Sequence, residues 1–176
     1  MSVGSLNSEV EVIESLDLTE VQQHLKTATN KFLDNLPVGR RITPETGRGI
    51  IARYTAVSEG KFIYWMTGTY LSAKTAAARS IIQENLSDEI RDCHPSMMHR
   101  FAAAACALPT DDDATAVYEG LSNVRLFVGR LSSAPLVLMM AFFEGLIQRF
   151  MPYLADLAAR RGSQETEYSD VHGVCR

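Results

Sequence analysis

The segment that most restricts the fold of this chain runs from Pro135 to Arg161 and contains LVLMMAFFEGLIQRFM. It shows no strand alternation, and its apolar residues surround more than one face, so it predicts a long helix that other helices must cover. Ser132 and Ser133 supply its caps, Pro152 predicts a kink, and Gly162 closes it. Inside this helix stands Glu144. Its helical neighbours at three, four and seven residues are Val137, Met140, Ala141, Ile147, Gln148 and Met151, all apolar but Gln148. A carboxylate buried there without a partner costs on the order of 3 kcal/mol or more. It therefore needs a salt bridge or hydrogen bond from another helix, a proton, or a metal.

The rest of the chain is helical in pattern too. Residues 1–15 are polar and predict a flexible N-terminal segment. Residues 16–176 predict a single helical-bundle domain. Leu18, Val21, Leu25, Ala28, Phe32 and Leu36 recur at helical spacing behind a cap at Asp17 or Thr19, and Pro37 and Gly39 end that helix. Thr43-Pro44-Glu45 is a strong helix start, with a capping hydroxyl, proline in the first turn and an acid at the positive end. Gly60 predicts a break. One long stretch then follows from Phe62 through Ile81 toward Cys93. His94-Pro95 marks an irregularity, Met97 to Leu108 is helical again, and Pro109 to Asp113 is a loop or helix start. Ala116 to Leu131 forms another helix, and Glu165 to Arg176 begins a last one. No repeat, low-complexity tract or hairpin signal occurs, so the fold class expected is an all-α helix bundle.

Composition excludes several functions. The 176 residues carry a net charge of -4, with Lys and Arg scattered, so no nucleic-acid partner is expected. Hydrophobic residues at 46% and charged residues at 22% are ordinary for a globular protein. The three cysteines, Cys93, Cys106 and Cys175, form neither a disulfide framework nor a CxxC metal motif. No signal peptide is visible. The longest apolar stretch, Ala134 to Phe143, is shorter than the roughly 20 residues a bilayer span needs. A cytoplasmic protein with no membrane association is expected. The GxSxG, GxGxxG and GxxxxGK motifs are absent.

Two further clusters join Glu144. The first spans Asp88, Glu89, Asp92, His94 and His99, carboxylates and imidazoles of the kind that bind non-haem iron or manganese. Taken alone it equally describes a solvated acidic turn. Asp92 and His99 would share a face of an unbroken helix. Glu89 and His94, five apart, would not unless Pro95 distorts the backbone. The second cluster is Glu165, Glu167, Tyr168, Asp170 and His172, with His172 one turn beyond Tyr168. Taken alone it is a polar tail. His24 has ordinary neighbours and is expected at the surface.

In their order along the chain, three stretches resemble the haem-oxygenase-like non-haem di-iron oxidases and oxygenases. This group lies around the chlamydial protein associating with death domains and includes cyanobacterial proteins of unknown function. Asn85-Leu86-Ser87-Asp88-Glu89 with His94-Pro95-Ser96-Met97 resembles the family's carboxylate-then-histidine segment. Phe143-Glu144-Gly145-Leu146 through Met151-Pro152-Tyr153-Leu154 resembles its central helix, which carries one buried Glu ligand. Glu167-Tyr168-Ser169-Asp170-Val171-His172 resembles the start of its last core helix. The resemblance covers roughly residues 41–176. It implies a haem-oxygenase-like bundle with Glu89, His94, Glu144 and His172 as metal ligands. It also implies iron, two irons in a complete site, and activation of dioxygen on a small-molecule substrate, with a homodimer as the protein association to consider. The Glu89 to His94 spacing is shorter than the family often shows, which keeps Asp88 and Asp92 as substitutes. The family also follows its last-helix histidine with Asp four residues on and His three beyond. Here Arg176 stands at the first of those positions and the sequence ends, so the last core helix and the metal site are expected to be incomplete. Two alternatives follow: an inactive or truncated relative acting as an interaction module, and a cofactor-free, thiaminase-like enzyme on the same fold.

Overall fold

The structure, a computed structural model, describes residues 18–38, 41–59, 61–131 and 134–173. The flexible segment expected over residues 1–15, the break at Gly60, the caps Ser132 and Ser133, Cys175 and Arg176 lie outside the described residues. Among those described, all regular structure is α-helical, as the periodicity predicts. The chain forms two compact units, residues 1–36 and residues 37–176. The first contains helix α1, Leu18–Asp34.

The second unit holds α2 (Pro44–Ser58), α3 (Lys61–Ser72), α4 (Ala76–Arg91), α5 (His94–Ala104), α6 (Asp111–Val128), α7 (Ala134–Arg160) and α8 (Glu167–Gly173). Helix α2 begins as expected. Pro44 opens it, and the Thr43 hydroxyl accepts the Thr46 N–H at 3.1 Å. The stretch expected to be continuous from Phe62 to Cys93 is divided. Thr75 caps a new helix by accepting the Ala78 N–H at 3.1 Å, and Arg79 Nε donates to the Ala73 carbonyl at 2.9 Å. A local side-chain cap here overrides the pattern, with no glycine or proline at the break to announce it. Helix α6 starts five residues before Ala116, because Thr110 and Asp113 form a reciprocal capping box.

Helix α2 lies among α3, α5, α6 and α7, and α7 also packs on α3, α5 and α8. The core sits where they meet: Ile51, Ala52 and Thr55 of α2, Phe101 and Ala102 of α5, and Met151, Leu154 and Leu157 of α7 are essentially inaccessible. The buried Thr55 and Thr69 hydroxyls donate to the carbonyls one turn back, Ile51 and Trp65, at 2.9 Å each, so neither is left unpaired. A second cluster joins Trp65 and Met66 to Met140, with the Trp65 ring stacked on Phe143 at 5.5 Å. Helix α7 spans 27 residues, includes Pro152, and ends in a Schellman turn: Ser163 N–H bonds the Ala158 carbonyl, and Gly162 adopts φ 84°. By length and composition alone α7 could cross a bilayer, with a mean hydropathy of 1.3 over its most apolar window.

Candidate metal centre

Three of the four candidate ligands converge. Glu89 near the end of α4, His94 at the start of α5 and His172 in α8 each offer a ligand atom, and these atoms lie within 4.8 Å of one another. Glu89 and His94 are buried. They meet because the chain reverses between them. Helix α4 ends at Arg91, Cys93 takes a left-handed conformation at φ 53°, and its carbonyl accepts the Ser96 and Met97 N–H groups at 2.8 and 3.1 Å. The irregularity expected at His94-Pro95 thus falls one residue earlier. Pro95 lies inside the first turn of α5, where it loses no hydrogen bond. Five residues apart on one helix, Glu89 and His94 would face different ways. Across this turn their side chains bond, Nδ1 to Oε1, at 2.8 Å.

That bond fixes the His94 ring and leaves Nε2 buried with no hydrogen-bond partner. His172 Nε2 is likewise buried and unpartnered. The two rings meet edge to face at 4.7 Å, and Tyr168 packs against His172 at 4.5 Å. Burial, and then the nearby His94, push the His172 pKa down to about 4, so it is neutral at physiological pH and its lone pair is available. The bond to Glu89 raises the His94 pKa against the effect of burial.

Glu144 of α7 lines the same cavities as these three residues but stands outside the 4.8 Å group. It is half-buried, and burial, reinforced by the Glu89 charge, raises its pKa to about 7. An acid so placed is stabilised by a cation and repelled by its carboxylate neighbour. Asp88 and Asp92 line the outer cavity and pair with Arg91 at 2.8 and 2.9 Å. His99 is exposed and lies 3.8 Å from Glu59. His24 is exposed, as expected. In the C-terminal cluster Glu167 pairs with Arg100, and Asp170 accepts the Thr166 hydroxyl at 2.8 Å. Cys93 and Cys106 are exposed and line neither cavity at Glu89.

The sequence reading missed Tyr54. Its hydroxyl lies 2.8 Å from that of Tyr168, and both rings line the inner side of the site. Burial raises both phenol pKa values, that of Tyr54 to about 12, so both stay protonated. Tyr54 lies in the apolar register of α2 and carries no signal of its own. Asn85 and Gln148, which line the outer cavity, were likewise not singled out; Gln148 is the one polar neighbour on the Glu144 face.

Two imidazoles and a carboxylate, with two buried nitrogens lacking partners, are a donor set that fits a first-row transition metal such as iron. No family model, no curated protein and no solved structure matches the chain.

Proposed function

We propose that this chain is a non-haem iron oxidoreductase of haem-oxygenase-like fold that uses dioxygen on a small organic substrate. The observation that carries the reading is the pair of buried, unpartnered Nε2 atoms of His94 and His172 beside the Glu89 carboxylate. An apolar interior does not leave two such atoms unpaired without cost. Glu89, His94 and His172 form the two-histidine, one-carboxylate set that suits ferrous iron with open positions. Glu144 is the fourth group and would serve a second ion or a proton. Iron held there would supply the one-electron chemistry with dioxygen that no side chain can.

The chain's own residues have separable tasks. Glu89 holds the His94 ring through Nδ1, a bond it would give up on ligating a metal. Tyr168 packs on His172 and, with Tyr54, closes the inner side against bulk water. Glu144, with its pKa near 7, can hold or release a proton at the cavity wall.

Anaerobic titration with ferrous iron, followed by metal analysis, tests the reading. At least one equivalent should bind in the parent, and His172→Ala should lose it. A second equivalent that disappears in Glu144→Ala would assign Glu144 to a di-iron site. Absence of stoichiometric metal in the parent, with Glu89→Ala, His94→Ala, Glu144→Ala and His172→Ala all alike, would leave a helical interaction module. Stoichiometric zinc that iron does not displace would turn the site toward Lewis-acid hydrolysis.

A further inference from the structure

One more buried nitrogen lacks a partner, and it lies outside the candidate metal centre. Among the described residues the unpartnered buried side-chain atoms are Nε2 of His94, Nε2 of His172 and Nε1 of Trp65 in α3. Trp65 is 7% exposed, and its ring is held by the stack on Phe143. An indole N–H is a donor only, and leaving it buried without an acceptor is costly. Neither cavity at Glu89 includes Trp65. It lines a separate cavity of about 480 Å³ between α3, the end of α6 and the start of α7. That volume is within the range of small-molecule sites, roughly 300–1,000 Å³.

The lining narrows the kind of molecule. Among its described residues Arg125 is the one charged group, and no carboxylate accompanies it. Arg125 is exposed, and no ion pair or side-chain hydrogen bond joins it to another described residue. Val128, Leu131 and Leu136 add apolar wall. The Ser72 hydroxyl already donates to the Gly68 carbonyl at 2.9 Å, which leaves its oxygen as an acceptor. Gly68 itself stands inside α3, where only proline is less favourable than glycine. Packing does not require it, because a Cβ at Gly68 would meet nothing within 4 Å. A side chain there would take up space in the cavity that Gly68 lines.

We infer that this cavity is a second ligand site, which binds a small organic acid with an apolar tail, a medium-chain carboxylate. Arg125 takes the carboxylate, which its planar fork matches with two parallel bonds. The tail lies along Val128, Leu131, Leu136 and the Trp65 ring. The Trp65 N–H is a further donor, reached when a wall side chain shifts; Tyr64 and Arg125, both exposed, are placed to do so. A single guanidinium suits a single negative charge. A phosphate monoester, with nearly two charges at neutral pH, would lack a second cation. The site shares no lining residue with the candidate metal centre and does not rest on it.

The test titrates the full chain with octanoate, 1-octanol, octylammonium and octyl phosphate, each below its micellar concentration, and follows indole emission. Trp65 is the single tryptophan of the chain, so the signal comes from the cavity wall. Octanoate should change the emission saturably and bind about fivefold more tightly than 1-octanol, with octylammonium weaker still. Arg125→Gln should bring octanoate to the affinity of 1-octanol and leave that of the alcohol unchanged. Gly68→Leu should abolish binding of both. Should Gly68→Leu fail to fold by circular dichroism, Arg125→Gln, at an exposed position, decides alone. Equal affinity of the parent for octanoate and 1-octanol would overturn the inference, as would octanoate binding that Arg125→Gln leaves unchanged. Tighter binding of octyl phosphate than of octanoate would overturn the carboxylate assignment. Absence of a saturable change, with no saturation transfer to octanoate by NMR, would overturn the site altogether.

Discussion

In the proposed centre, His94 and His172 would be kept ready for a metal by opposite means. A hydrogen bond to Glu89 orients the first, and burial keeps the second neutral. Neither Nε2 contributes a hydrogen bond to the fold. His172→Ala should therefore abolish metal binding, a larger effect than the 10- to 100-fold typical of outer-shell changes. It should alter the metal-free stability by no more than about 1 kcal/mol. Metal analysis and melting of the metal-free protein check both halves. A loss above about 3 kcal/mol with metal retained would make His172 a structural residue. Asp113 is the contrasting case, a buried carboxylate with every partner present. Burial pushes its pKa up, but bonds from Arg48 at 2.8 and 3.1 Å and from Thr110 outweigh that and hold it below 3.8. The unfolded chain then takes up this proton at a higher pH than the folded one. The stabilisation is complete above about pH 4 and is lost as the pH falls through the depressed folded value. Asp113→Asn should cost about 2 kcal/mol at neutral pH and flatten the acid limb of the stability profile. An unchanged acid limb would show that Asp113 does not set it.

At the scale of elements, the turn between α4 and α5 decides the site, and Cys93 is its strained member. A non-glycine residue at φ 53° costs roughly 1–2 kcal/mol, which glycine avoids at some entropic expense. Cys93→Gly should thus stabilise the protein by about 0.5 kcal/mol and retain metal binding. Cys93→Val should destabilise it by more than 1 kcal/mol and weaken metal binding, since a branched residue forces the turn open. Denaturant melts with metal titrations separate the two. Equal stabilities would mean that the turn carries no strain. This turn also marks where the sequence stops being legible. Helix periodicity, the Thr43-Pro44 start and the Gly162 stop could be read because each is local. Glu89, His94 and His172 were identified through resemblance and segment order. Their meeting depends on a left-handed cysteine that no residue preference announces. The break at Thr75 escaped for a related reason, because threonine caps and threonine within helices look alike until the side-chain bond is formed. Tyr54 was hidden because a tyrosine in an apolar register is indistinguishable from core until its hydroxyl partner, 114 residues away, is known.

Across the second unit, the proposed ligands belong to elements of very different length. Helix α4 is 16 residues long with Ile82 buried, and α5 is anchored in the core by Phe101 and Ala102. Arg161 adds a clamp at the far end of α7, donating to the carbonyls of Ala105 and Pro44 at 2.7 Å each and of Cys106 at 3.2 Å. Helix α8 has only seven described residues, fewer than an isolated helix needs to persist in water. It is held by Tyr168, which inserts against Phe101 and bonds Tyr54, and by the Arg100–Glu167 pair. A metal held by His172, Glu89 and His94 would join this short helix to α4 and α5, and so would stabilise α8 more than any other element. Binding to the folded state alone contributes about 2.7 kcal/mol at a free metal concentration 100 times Kd. Hydrogen exchange of the amides in α8 should therefore slow by up to about 100-fold on saturation with zinc or ferrous iron, because their opening is local and breaks the site. Amides of α6, which contributes no proposed ligand, should change far less. In His172→Ala the α8 amides should exchange at the metal-free rate whatever the metal concentration. A uniform slowing over α6 and α8 would instead mean that these helices open only by global unfolding. Protection of α8 that persists in His172→Ala would place the metal elsewhere.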